Sequence, residues 1–277
     1  MVVKIDAHHH FWKYDPAEYA WIGEGMTAIR RDFLPADLQA EIEAAGIDGV
    51  VTVQARQTIA ETRWLGELAG RHDFIRGYVG WVPLAAPSVE DDLARLAADG
   101  KLKGVRHVLQ DEPDDDYALR EDFNRGVAVL RRFGLVYDVL IFARHLPQAI
   151  GFVDRHPGQI FVVDHVAKPR IGQNVLSPWK ERLSELARRE NVYCKLSGMV
   201  TEADYRTWTP QQLRPYVDVV LEAFGPGRVM FGSDWPVCLL ACEYGRWYGI
   251  VCDFVSSLSQ AERERILGGT AVEAYGL

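Results

Sequence analysis

Val3-Lys4-Ile5-Asp6-Ala7-His8-His9-His10-Phe11-Trp12, near the start of the chain, reads as an apolar strand running into metal-binding and proton-moving side chains. Arg228-Val229-Met230-Phe231-Gly232-Ser233-Asp234-Trp235-Pro236, near its end, reads the same way. Side chains alternate across a strand, so Asp6, His8 and His10 are expected on one face, with the two imidazoles converging on one point. A carboxylate at the end of a later apolar strand, such as Asp234, can meet them there. Two imidazoles and a carboxylate are what an enzyme needs to activate water, with or without a cation. The histidines interrupt an apolar run and read as part of the strand, not as a tag. Alone, Gly232–Pro236 would be a strand-ending turn, because Asp and Pro are turn formers. The pair gains weight because it stands at the first and last strands of a repeating pattern.

That pattern consists of eight short runs rich in Val, Ile, Phe and Tyr, as buried parallel strands require. They are Val3–His8, Gly49–Ala55, Ile75–Val82, Leu102–Val108, Leu135–Ile141, Ile160–Val166, Val192–Leu196 and Val229–Ser233. Helical stretches are expected between them, at Pro35–Ala45, Glu61–Gly70, from Pro87 onward, and at Arg120–Arg132, Leu146–His156, Pro178–Glu190, Pro210–Phe224 and Tyr244–Ser257. Strand then helix, eight times, predicts an α/β protein in which residues 1–277 form a single (β/α)8 TIM barrel. An open doubly wound sheet would carry a glycine-rich phosphate turn after its first strand, where His8-His9-His10 stands instead.

The 277 residues are 48% hydrophobic and carry a net charge of −8 without a basic block, which argues against nucleic acid and anionic membranes as partners. No apolar run is long enough for a membrane span, and no signal peptide opens the chain, so a cytoplasmic location is expected. Cys194, Cys238, Cys242 and Cys252 form no Cys-x-x-Cys pair and are expected as reduced thiols. Asp111–Asp116 lacks the glycine and distal glutamate of a calcium loop and is expected to be a solvated loop.

Catalysis in such a barrel sits at the C-terminal ends of the strands. There the chain places His8 and His10, then Gln54 and Arg56, Trp81, Arg106 and His107, Tyr137 and Asp138. Asp164, His165 and Lys168, Lys195 and Ser197, and Asp234 and Trp235 complete the ring. Titratable groups gathered at one end of nearly every strand argue for catalysis independently of any relative.

These residues resemble the amidohydrolase superfamily. Ile5–Trp12 is similar to its Asp-x-His-x-His-x-Trp opening, Val163–Pro169 to its sixth-strand motif, and Phe231–Pro236 to its eighth. Within it the chain resembles the sugar-lactone and pyrone-dicarboxylate lactonase branch. Trp21–Met26, Cys194–Asp204 and Asp234–Leu240 point to the L-fuconolactonase type. The resemblance implies a barrel that opens an aldonolactone with water, with His8, His10 and His165 as the family histidines and Asp234 as the base. The chain departs from two-metal members: Arg106-His107 stands where a bridging lysine or glutamate belongs, and strand five offers Tyr137-Asp138 instead of a histidine. One divalent cation of the zinc kind, held by His8, His10, His165 and Asp234, or none, is therefore implied.

A lactone carbonyl needs an oxygen nucleophile, a partner for its oxyanion and a proton for the leaving alkoxide. Asp234 is the expected base, and the three histidines polarise the carbonyl. Arg106 and His107 are neighbours in a strand, so only one of them faces the pocket. Arg106, His107, Lys195, Trp81, Gln54 and Trp235 are candidate substrate contacts. Lys195 is equally open to a strand-end salt bridge, and Trp12, Trp81 and Trp235 to ring stacking on a sugar. Asp6 is expected to orient a histidine, and His72, His145 and His156 to lie on the surface. The expected reaction is opening of L-fucono-1,5-lactone or a related L-galactono or D-arabinono lactone. Pyrone-dicarboxylate hydrolysis, aromatic-acid decarboxylation and a non-catalytic sugar-binding barrel are the alternatives. The expected partner is the sugar lactone itself, with oligomeric state left open.

Overall fold

Runs of β-branched and aromatic residues too short for helices pair side by side in a computed structural model that describes residues 3–277. The strands are β1 (Ile5–His9), β2 (Gly49–Val53), β3 (Ile75–Gly80), β4 (Leu102–Val108), β5 (Val136–Leu140), β6 (Phe161–Val163), β7 (Val192–Leu196) and β8 (Val229–Phe231). They are hydrogen-bonded in sequence order, and every adjacent pair is parallel. The barrel closes where His9 bridges Trp235 and the Asp234 and His10 amides donate to the His8 and Trp235 carbonyls.

The connecting helices are α1 (Pro35–Ala45), α2 (Ile59–Arg71), α3 (Val89–Leu96), α4 (Glu121–Leu130), α5 (Leu146–Asp154), α6 (Trp179–Ala187), α7 (Pro210–Phe224) and α8 (Tyr244–Phe254). Local chemistry starts several of them. Thr58 caps α2 by accepting from the Glu61 amide, Thr209 caps α7 by accepting from the Gln212 amide, and Pro35 and Pro210 occupy first-turn positions that need no N–H donor. The main core lies between strands and helices, where Val50, Tyr78, Val105 and Phe161 meet Leu65, Leu93, Phe123 and Phe152. A smaller cluster fills the barrel interior, with Ile5, Ala7, Val51, Val53, Val79, Val136, Val162 and Met230.

Two features differ from the sequence expectation. The chain continues past α8 into α9 (Gln260–Glu264) and α10 (Thr270–Tyr275), whose Ala271, Ala274 and Tyr275 pack onto that interior cluster. Second, several strands stop earlier than predicted: β2 at Val53 and β3 at Gly80, and, with most effect on the rim, β6 at Val163 and β8 at Phe231. For β6 and β8 the reason is backbone conformation: His165, Val166, Ala167 and Lys168 follow one another with φ between 47° and 59°, and Asp234 has φ 58°. Non-glycine residues rarely enter this left-handed region, and clusters of them mark sites where side-chain aim outweighs backbone strain.

Candidate active site

The left-handed turns carry His165 and Asp234 off their strands and aim them at His8 and His10. The four side chains are almost completely buried. Asp234 Oδ1 lies 3.5 Å from His10 Nε2, 3.8 Å from His8 Nε2 and 3.9 Å from His165 Nε2. Each ring is held from behind. His10 Nδ1 bonds the Val53 carbonyl at 2.8 Å, so Nδ1 carries the proton and Nε2 presents a lone pair. His165 Nδ1 bonds Ser197 Oγ at 2.9 Å. Gly198, at φ 61°, is required beside it, because a Cβ there would stand 2.5 Å from that Nδ1.

Behind His8 runs a buried column of charge. Lys195 Nζ lies 3.2 Å from His8 Nδ1, 2.9 Å from Asp164 Oδ1 and 2.5 Å from Asp138 Oδ2. The Tyr275 hydroxyl donates to Asp138 at 2.8 Å, tying the C-terminal helix to the column. Arg106 donates to Asp164 Oδ2 at 3.0 Å, and to both the carbonyl and the side-chain oxygen of Gln54. Burial pushes the Asp138 carboxyl up to about 6 despite Lys195. At Asp164 burial also pushes upward, but Lys195, His8 and Arg106 outweigh it and hold the carboxyl well below its usual range. At Asp234 burial is again outweighed, by His165 and His10, and the carboxyl stays lowered and ionised. Burial takes His8 well below the ordinary imidazole value and His165 down to about 4, so both rings are neutral near pH 7.

His8 and His10 present Nε2 atoms 3.2 Å apart, which decides what fits between them. When Lys195 donates to His8 Nδ1, the His8 Nε2–H donates to His10 and the pair is satisfied alone. When His8 Nδ1–H donates to Asp164, at 3.2 Å, two lone pairs face each other and a cation relieves the repulsion. His8, His10 and Asp234 offer ligand atoms all within 4.8 Å of one another, as do His8, Asp164 and His165. Two neutral imidazoles and a carboxylate suit zinc, and ligand nitrogens about 3.3 Å apart are what tetrahedral Zn–N bonds of about 2.05 Å give. The donor set therefore fits one such ion.

A cavity of about 360 Å³ opens above this floor. His10, His165, Asp234 and Arg106 form its base, with Trp21, Arg56, Lys168 and Thr201 on its walls. The other candidates fall elsewhere. His107 faces the helix layer: it stacks on Tyr117 at 5.0 Å and bonds Glu112 at 2.7 Å, so Arg106 is the member of that pair that turns inward. Trp81 donates to His107 and is not part of the cavity wall. Gln54 and Lys195 are fully buried and do not line the cavity; they hydrogen-bond Arg106 and His8. Trp235 packs on Phe33 and Phe11, and Trp12 on Phe33 and Tyr19, both in the core.

Asp6 also departs from expectation. The β1–β2 register shifts between Asp6 and His9, which breaks strict alternation. Ile5 and Ala7 join the barrel interior, and Asp6 accepts from the His8 and Ser233 amides and the Tyr244 hydroxyl, touching no imidazole ring. His145 is buried, not on the surface, and bonds Asp115 at 2.8 Å, while His72 and His156 are half-buried.

In the sequence Arg56 and Lys168 stand out only as strand-end residues, and Glu61 does not stand out at all. Glu61 is fully buried on α2 and accepts from the Ala55 and Arg56 amides at 3.0 and 2.8 Å, which holds the cavity wall. Glu61 stands at the third position after the Thr58 cap, where a carboxylate is common, and nothing local distinguishes it. Trp21 was legible as a motif residue. It is 40% exposed, with its Nε1 donating to the Ala55 carbonyl at 3.0 Å, and its indole ring borders the cavity.

Residues 5–277 match the family model described as amidohydrolase. A protein of Burkholderia multivorans named L-fucono-1,5-lactonase is 43% identical over 99% of this chain and 96% of its own length. One of the same name from Burkholderia ambifaria is 38% identical, again over 99% and 96%. A crystal structure of a Burkholderia multivorans amidohydrolase with bound zinc superposes with a TM-score of 0.97 at 43% identity, covering 99% of both chains.

Proposed function

The chain belongs to the amidohydrolase family, and from that premise we propose that it hydrolyses a sugar-acid lactone to the aldonate. L-fucono-1,5-lactone, or a close L-galactono or D-arabinono relative, is the proposed substrate, and the two relatives named for the first support it. The observation that carries the reading is Asp234, an ionised buried carboxylate 3.5–3.9 Å from three imidazoles at the floor of a ligand-sized cavity.

In the proposed reaction Asp234 accepts a proton from water as the water oxygen bonds to the lactone carbonyl carbon. The carbonyl oxygen gathers negative charge, and Arg106, whose charge is fixed and which belongs to the cavity floor, receives it. When the ring C–O bond breaks, the proton held on Asp234 passes to the departing alkoxide. The His8 and His165 rings stay neutral and polarise without holding charge of their own. His8, His10 and Asp234, with His165 beside them, are the residues we assign to one divalent cation of the zinc class. When bound, it supplies Lewis-acid polarisation.

Charge pairing supports a neutral substrate over a dicarboxylate. Every cation on the cavity wall already has a carboxylate: Arg106 has Asp164, Arg56 has Glu18, and Lys168 has Glu202. The test is a pH-indicator hydrolysis assay over a panel of aldonolactones, with and without chelator. Acid release on an L-fuco, L-galacto or D-arabino compound supports the reading. Silence across the panel refutes it and turns attention to pyrone and aromatic-acid substrates.

A further inference from the structure

A second cavity, of about 490 Å³, lies beside the first on the same rim of the barrel. It is bounded by the segments that follow β5 and β6 and by the start of α6. Lys168 belongs to the walls of both cavities, so the two are neighbours across a single side chain. Four of the residues around the second cavity are cationic, Arg144, Lys168, Arg170 and Arg182, against one carboxylate, Glu202.

The pairing differs from that in the reaction cavity. Lys168 sits 3.8 Å from Glu202, and Arg144 lies 3.4 Å from Asp115. Arg170 and Arg182 make no side-chain hydrogen bond or ion pair with any described residue. A concavity holding two uncommitted guanidinium groups, on a chain whose net charge is −8, attracts small anions. Guanidinium forks match the two oxygens of a carboxylate or phosphate. Trp179 and Phe142 give the same cavity an apolar wall, which bare phosphate does not use but the carbon chain of an organic acid does.

We propose that this cavity is a second, anion-binding site for a small organic acid carrying one carboxylate, held by Arg170 and Arg182. The source nearest at hand is the aldonate released next door, a clause that rests on the lactonase reading. The lactone carries no charge and has no claim on these arginines. Ring opening creates the carboxylate they fit, so the site selects product over substrate.

The test compares wild type with the Arg170→Ala/Arg182→Ala double variant, whose changes lie on half-buried and exposed side chains outside the catalytic floor. L-fuconate and inorganic phosphate are titrated separately by calorimetry, which needs no turnover, and each is also added to lactone assays. The expected result is noncompetitive inhibition by the aldonate, about tenfold weaker in the double variant, with kcat/KM at low aldonate unchanged. The matching calorimetric component weakens in parallel. Purely competitive inhibition, equal in both proteins, overturns the proposal, as does the absence of any component sensitive to the arginines. If phosphate shows the arginine-sensitive binding and aldonate does not, the organic-acid assignment is overturned in favour of a free phosphate site. A protein inert towards every lactone that still binds the organic acid through these arginines fails the lactonase reading and supports the site.

Discussion

Replacing Asp234 by Asn removes the charge of the proposed base and little else. The three rings around it are each anchored elsewhere: His10 on the Val53 carbonyl, His165 on Ser197, and His8 on Asp164 and Lys195. The left-handed backbone at φ 58° suits Asn as well as Asp, and the amide bonds from Asp234 to the His8 carbonyl and from Cys238 back to residue 234 involve main chain only. The fold should therefore survive, with a thermal midpoint within a few degrees of wild type, about what 1 kcal/mol shifts in a chain of this size. The rate should not. Removing a positioned general base costs roughly 10²–10⁴-fold, or about 3–5 kcal/mol of transition-state stabilisation. The assay is kcat/KM on the best lactone by pH indicator across pH 3–9, with circular dichroism to verify folding. Because its neighbours hold the Asp234 carboxyl below the ordinary carboxylate value, the wild-type rate should persist down through the ordinary carboxylate range and fall only below it. The variant should lose that acid limb together with the rate. A folded Asn variant retaining more than about a tenth of wild-type kcat/KM would refute the base assignment.

Arg106→Met should lower kcat about 10²–10³-fold if its guanidinium receives the oxyanion. It should also destabilise the fold, by less than the about 3–5 kcal/mol of a stranded buried charge because Lys195 still pairs with Asp164, read by urea denaturation, and an unchanged kcat in folded protein would remove Arg106 from the reaction. Glu61→Gln tests a pH effect on stability. Burial raises the Glu61 carboxyl from 4.5 to about 7, so the folded state binds the extra proton and the stability it contributes is present below about 4.5 and lost as the pH rises through 7. Gln, which needs no proton, should gain up to ~3 kcal/mol relative to wild type between pH 4.5 and 8, measured by denaturant midpoints; a flat difference would contradict the burial argument. Zinc added to metal-stripped protein should raise the thermal midpoint of wild type and not of His10→Ala, with elemental analysis giving one ion per chain, and an equal shift in both would remove His10 from the cation site.

The barrel itself was legible because strand and helix periodicity are local properties. Runs such as Gly49–Val53 and Leu102–Val108 announce themselves by β-branched content within a few residues, and eight of them alternating with helical stretches leave few topologies open. The chemistry at the strand ends was legible for the same reason, since parallel strands put their C-terminal ends on one rim. His8, His10, His165 and Asp234 could therefore be grouped although 226 positions separate the first from the last. Facing and burial were not legible, because they depend on residues distant in sequence. A register shift against β2 turns Asp6 towards Tyr244, and the helix-borne rings Tyr117 and Phe123 claim His107. Phe33 claims Trp235, and Trp21 is left to border the cavity. Lys195 becomes a buried support because Asp138 on β5 and Asp164 just past the end of β6 converge on it and Tyr275 closes the column from the C-terminal helix. By itself the sequence determined which groups stand on the catalytic rim. Tertiary structure decided which of them reach the cavity, because a side chain's neighbours and its access to water are set by packing between segments that local pattern does not relate.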